Sequence, residues 1–103
     1  MNRLESLLEL HVKNPTDSFV MYGIALEYIS IKDYAKAEEY CLKLLETDPK
    51  YVPVYIQYAK LKEKINNIDD AKKLYLKGIE IAKEVGDKHA AKEMEDFLDE
   101  LEE

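Results

Sequence analysis

The chain has 103 residues, of which 47% are apolar and 36% charged, with a formal net charge of −7. That length fits one domain, and the apolar fraction is ordinary for a globular protein, so disorder is not the default. No apolar run approaches the roughly 18 residues of a membrane span. A body without net positive charge lacks the electrostatic footprint of a nucleic-acid binder, so neither a membrane nor a nucleic acid is expected as partner.

The charge is uneven. The first 92 residues balance at 15 bases and 15 acids, while Glu93, Glu95, Asp96, Asp99, Glu100, Glu102 and Glu103 follow with no base among them. Glu5 and Glu9 come too soon for a signal peptide, so the expected compartment is the cytoplasm. The single Cys41 forms no internal disulfide, which fits a reducing compartment.

Taken in chain order, the segments read as six helices. Leu4, Leu7, Leu8 and Leu10-His11 recur at helical spacing until Asn14-Pro15 stops them. Thr16 or Asp17 caps a second helix, with Met21, Ile24, Ala25 and Tyr28 on one stripe. A break at Ser30-Ile31-Lys32 follows. Asp33 is then an N-cap, because its carboxylate accepts from the free N–H groups of a first turn. The third helix carries Tyr34, Ala37, Cys41, Leu44 and Leu45, and ends before Asp48-Pro49.

Pro53 sits near the start of a fourth helix, where its missing N–H costs nothing. Val54, Tyr55, Tyr58, Ala59 and Leu61-Lys62 follow before the break at Asn66-Asn67. Asn67 with Asp70 three residues on resembles a capping box. The fifth helix holds Ile68, Ala71, Leu74, Tyr75, Gly78, Ile79 and Ala82. With no proline to end it, it should reach about Val85, with Gly86 as the left-handed C-terminal residue. Asp87 caps a last helix with Ala90, Ala91, Met94, Phe97, Leu98 and Leu101. No segment alternates with period two, so the fold class is all-α.

These helices repeat. Asn14-Pro15 returns 34 residues on as Asp48-Pro49, Asp33-Tyr34-Ala35-Lys36-Ala37 as Asn67-Ile68-Asp69-Asp70-Ala71, and Ala25 as Ala59. A fixed period of this size marks a stacked helical array, in which each helix pair cannot bury its apolar face alone. Ala25 and Ala37 in the first pair, and Ala59 and Ala71 in the second, are small residues that let helix axes approach closely.

The pattern resembles the tetratricopeptide repeat. Met21 stands in its Trp slot, Ile24-Ala25 in the Leu-Gly slots and Tyr28 in the Tyr slot, with Ala37, Cys41, Leu44 and Pro49 following in order. Tyr55, Tyr58-Ala59, Lys62, Ala71, Tyr75 and Gly78 take these places in the second copy. Lys62 replaces a usual aromatic, Leu44 a usual Ala, and Lys83 the closing Pro. The resemblance implies a right-handed stack of antiparallel helix pairs in a single domain. Residues 1–13 would be a half repeat whose Leu7 and Leu10 match Cys41 and Leu44. Residues 18–51 and 52–85 would be full repeats, and 87–101 a capping helix.

The same resemblance implies a module that binds a peptide or helix of another protein, because the family's first helices line a concave face. The matching residues are Phe19, Tyr22, Leu26 and Ile29 on the second helix, and Pro53, Ile56, Lys60 and Glu63 on the fourth. A solvent-facing helix surface should be polar, and the first of these sets is not, which marks a partner surface. The competing expectation is that Phe19 and Ile29 cover neighbouring helices, including the last one. Some family members grip a C-terminal carboxylate with Lys and Asn. Tyr22, Leu26 and Gln57 stand in those places, so that clamp is absent and an amphipathic or apolar segment is the expected ligand.

A rival reading makes the same apolar face a homodimer contact, leaving monomer and homodimer both open. His11 and His89 show no metal-ligand spacing and read as surface histidines. Cys41, in an apolar slot, reads as inert packing. No cofactor or metal is expected, and with no convergent set of titratable groups an enzyme is disfavoured.

Overall fold

The computed structural model describes residues 2–102. Among them the helices are α1 (Arg3–Lys13), α2 (Ser18–Ser30), α3 (Tyr34–Thr47), α4 (Val52–Lys64), α5 (Ile68–Val85) and α6 (Lys88–Glu102), and there is no strand. The helix boundaries follow the caps. Side-chain oxygens of Asp17, Asp33, Asn67 and Asp87 accept from the backbone N–H groups of Val20, Lys36, Asp70 and Ala90. Each satisfies a first-turn donor that the helix itself leaves open. Asp17, rather than Thr16, is the residue that caps α2. Asn67 and Asp70 form the reciprocal pair through their side chains, with Asn67 Nδ2 donating to Asp70 Oδ2 at 2.9 Å.

Three of the turns share one construction. Asp33 N–H donates to Tyr28 C=O and Lys32 N–H to Ile29 C=O. Asn67 repeats this with Lys62 and Asn66 with Glu63, and Asp87 with Ala82 and Gly86 with Lys83. This is the Schellman arrangement, which satisfies the last carbonyls of one helix. Its final residue is also the cap that opens the next helix, so each reversal needs only a few residues. The arrangement demands a left-handed residue, and Lys32, Asn66 and Gly86 supply it with φ of 64°, 63° and 82°.

Lysine is poorly suited to that conformation, because its Cβ crowds the following carbonyl. Lys32→Gly should therefore raise stability by about 0.5–1 kcal/mol, the relieved strain being partly offset by the greater freedom of glycine in the unfolded chain. Asn66→Gly should gain less, since asparagine tolerates the left-handed region. Urea denaturation midpoints at unchanged slope measure both.

The chain divides into two compact units, Met1–Pro49 and Lys50–Glu103. In the first unit α2 packs against both α1 and α3. Its core is Val20, Met21, Ile24, Ala25, Ala37, Tyr40, Cys41 and Leu44. Burial pushes the Cys41 thiol up to about 12, with the Glu38 carboxylate adding to it, so the thiol stays protonated and unreactive. Ser18 Oγ donates to Asp48 Oδ2 at 2.8 Å, which ties the start of α2 to the end of α3.

Two sequence expectations need correction in this unit. Leu10, the repeat counterpart of Leu44, is 44% exposed, whereas Leu44 is fully buried. Within its unit α1 packs on α2, reaches α3 only through the His11 ring and buries no residue completely, so the Leu10 side stays open. His11 is half-buried rather than a surface residue, with its ring edge-on to Tyr40 at 5.6 Å. His89 is exposed as expected.

In the second unit α5 packs against both α4 and α6, and α6 also meets α4. Ala59, Ala71 and Tyr75 are fully buried there, with Met94 from α6. Gly78 sits at a close approach: an added Cβ would lie 2.8 Å from Tyr55 Cβ and closer still to Met94 Sδ. Lys62 explains how a lysine fills an aromatic slot. Its stem is covered, its ammonium lies 5.5 Å from the Tyr58 ring centre, and its Nζ reaches Asp70 Oδ2 at 3.7 Å.

Candidate partner-binding face

The residues of α2, Ser-Phe-Val-Met-Tyr-Gly-Ile-Ala-Leu-Glu-Tyr-Ile-Ser, are apolar nearly all round the helix. An ordinary surface helix hides one stripe and leaves a polar one outside. Here Val20, Met21, Gly23, Ile24 and Ala25 are buried. Phe19, at 69% exposure, is the most open residue of the other side, and Tyr22, Leu26 and Ile29 are half-buried. These four follow at helical spacing, so they share a face. The one acid of α2, Glu27, is held by Arg3 of α1 through Nε to Oε1 at 2.7 Å. It adds no free charge to that face.

In the second unit the candidate residues have a different setting. Ile56, Lys60 and Glu63 of α4 are all half-buried, and Pro53 is exposed. The Lys60 ammonium sits 3.8 Å from the centre of the Phe97 ring, a cation over the negative face of an aromatic quadrupole. Glu63 Oε2 accepts from the Tyr75 hydroxyl at 2.6 Å. The phenol is driven well above the ordinary tyrosine range, first by burial and then by that bond to Glu63. Both charged candidates, Lys60 and Glu63, therefore already have partners inside their own unit. With Lys64 they border a recess of about 220 Å³.

Sequence reasoning missed a third surface, on α5 and α6. Leu76 is 56% exposed, and its repeat counterpart Leu42 is exposed too. The signal was the recurrence of leucine at 8, 42 and 76, the same 34-residue period. Among the described residues no group of three or more His, Cys, Asp or Glu could hold a metal ion, and no helix is long and apolar enough to cross a membrane.

Helical hairpins repeated at a fixed period, with small residues at the crossings and an apolar first helix, define a helical-repeat protein. The sequence profile of the tetratricopeptide repeat matches residues 28–93. The chain belongs to the tetratricopeptide repeat family. It is 28% identical over 98 residues to a repeat-containing protein of Pseudomonas aeruginosa, covering 95% of this chain and 93% of that one. It is 39% identical over 64 residues to the Sol locus transcriptional repressor of Clostridium acetobutylicum, covering 62% of this chain and spanning only 20% of that relative's length.

Among solved structures, a tetratricopeptide repeat domain protein from Salinibacter ruber superposes with a TM-score of 0.82 at 35% identity, covering 86% of this chain and 90% of that one. The TPR2B domain of yeast Sti1, solved in a complex with pHsp70, superposes with a TM-score of 0.89 over 96% of this chain and 79% of its own. At 19% identity that likeness shows the fold alone.

Proposed function

We propose that this protein is an interaction module that binds a peptide or helical segment of a partner protein on the concave face its family's first helices line. The observation that carries the reading is the apolar outer side of α2, where Phe19, Tyr22, Leu26 and Ile29 offer anchors and no free charge. Anchors of this kind dominate binding energy, and aromatic ones are the most effective. On α4 the same repeat positions hold Ile56, Lys60 and Glu63. The ligand is an amphipathic or apolar segment rather than a terminal carboxylate, because Tyr22 and Leu26 stand where a carboxylate clamp would need Lys and Asn. The yeast Sti1 domain, solved with pHsp70, supports the general class of partner: a protein or a peptide.

Affinity capture with quantitative mass spectrometry tests this, comparing the wild-type chain with Phe19→Ser and with Tyr22→Ala/Leu26→Ala. Phe19 is exposed enough that its replacement should leave the fold intact. Specific partners should be depleted at least tenfold with either variant. Retention of every partner by a folded Phe19→Ser protein removes the reading. Sedimentation then decides the rival role: a wild-type dimer that Phe19→Ser turns into a monomer assigns the face to self-association.

A further inference from the structure

A second surface carries its own chemistry. On α5 and α6, an open trough of about 590 Å³ is lined by Leu76, Ile79 and Leu98 together with Lys92, Glu95, Asp96 and Asp99. Leu76 lies on the side of α5 away from Ala71, Tyr75 and Gly78, by helical spacing. It is more than half exposed, while Leu98 of α6 is buried at the trough's base. The trough therefore has an apolar strip along one wall and its floor.

Its other wall is acidic. Two of its acids are already matched: Glu95 Oε2 lies 3.6 Å from Lys83 Nζ, and Asp96 Oδ1 2.7 Å from Nζ of Lys92, the lysine that lines the trough. Asp99, whose charge also acts on Lys92, forms no salt bridge among the described residues, nor does Glu102. Glu95, Asp99 and Glu102 recur at helical spacing and so share the flank of α6 beside the trough. The apolar strip is thus edged by Asp99 and Glu102, which form no salt bridge among the described residues, beside the paired Glu95. This happens at the C-terminal end of a helix, where the backbone carbonyls add further negative potential.

We propose that this trough is a docking site for an amphipathic helix of another protein, one with an apolar stripe flanked by Lys or Arg. Charge complementarity selects that occupant. The stripe would rest on Leu76, Ile79 and Leu98, and the basic flank would meet Asp99 and Glu102. From Lys92 to Asp99 the wall runs about 10 Å at ~1.5 Å per residue, so about two turns of the incoming helix are engaged. Opposite charge across the rim speeds encounter and fixes orientation, while the leucine contacts hold the complex. The site is built from residues of the second unit alone.

The test uses a dye-labelled 14-residue helical peptide with leucines at helical spacing and lysines flanking them, titrated against the whole chain by fluorescence anisotropy. A twin with glutamates in place of the lysines is the control. The lysine peptide should bind, and more weakly as salt rises. Leu76→Gln should weaken it at least tenfold. Asp99→Asn/Glu102→Gln should weaken it several-fold and flatten the salt dependence. Phe19→Ser should leave it unchanged. All these residues are exposed, and circular dichroism of each variant verifies the fold.

Equal binding of the glutamate twin, or indifference to Leu76→Gln, overturns the proposal. Loss with Phe19→Ser instead places the peptide on α2 and also overturns it. A concentration-dependent dimer abolished by Leu76→Gln would assign the trough to a second copy, against the proposal.

Discussion

Tyr75→Ala is expected to cost about 3–5 kcal/mol, a large part of the ~5–15 kcal/mol that holds a domain together. Tyr75 is the largest fully buried side chain of the protein. Its ring lies 5.7 Å from that of Phe97, and its hydroxyl donates to Glu63, so truncation empties the middle of the second unit. Tyr75→Phe separates the ring from the hydroxyl. It should cost only about 1–2 kcal/mol, the worth of one hydrogen bond to a charged acceptor.

The two variants also differ in alkali. Because the folded state holds the Tyr75 phenol above its ordinary value of 10.0, the unfolded chain releases that proton first as pH rises. The stabilisation is complete below about pH 10 and is lost progressively above it. Cys41 adds to the same decline, starting from its ordinary value of 9.0 and ending near 12. Tyr75→Phe should therefore flatten part of the fall in stability above pH 10. Denaturant titrations at pH 8 and pH 10.5 measure this, and an unchanged slope would show that the phenol is not held neutral.

Gly78→Ala is the second large effect, and its sign runs against the usual rule. Inside a helix, glycine to alanine ordinarily gains about 1 kcal/mol. At Gly78 the new methyl meets Tyr55 Cβ at 2.8 Å, an atom fixed to the α4 backbone, as well as Met94 Sδ. Met94 is flexible and could turn aside, but Tyr55 Cβ moves only with its helix. Overpacking of this kind costs about 1–3 kcal/mol, and more where backbone must move. The net result should be a loss of about 1–2 kcal/mol, read as a lower thermal midpoint. Gly23→Ala is the contrast. Its methyl meets only the end of Leu7, at 3.2 Å, on a helix with few other contacts. It should be near neutral or slightly stabilising.

Local signals determined where the helices start and stop. Asp33, Asn67 and Asp87 are short polar residues placed before apolar periodicity, and a cap acts through bonds to its own next turn. No distant residue is needed for that, so these positions were legible from the sequence. The 34-residue period was legible for the same reason: each copy carries its own turn chemistry and its own small residues. From these the all-α class and the repeat family followed.

Exposure was decided only by the tertiary structure, because burial belongs to the neighbour and not to the residue. Leu10 and Leu44 hold the same repeat position, yet only Leu44 is buried, since the Leu10 side of α1 stays open. Lys60 and Glu63 read as groove residues by register. The structure pairs them with Phe97 and Tyr75 from α6 and α5, which no spacing within α4 could foretell. Leu76 is the reverse case. It lies on a side of α5 that α6 leaves open to solvent, and the acids beside it come from a different helix. Periodicity assigns a residue to a face, whereas only packing decides whether that face meets protein or water.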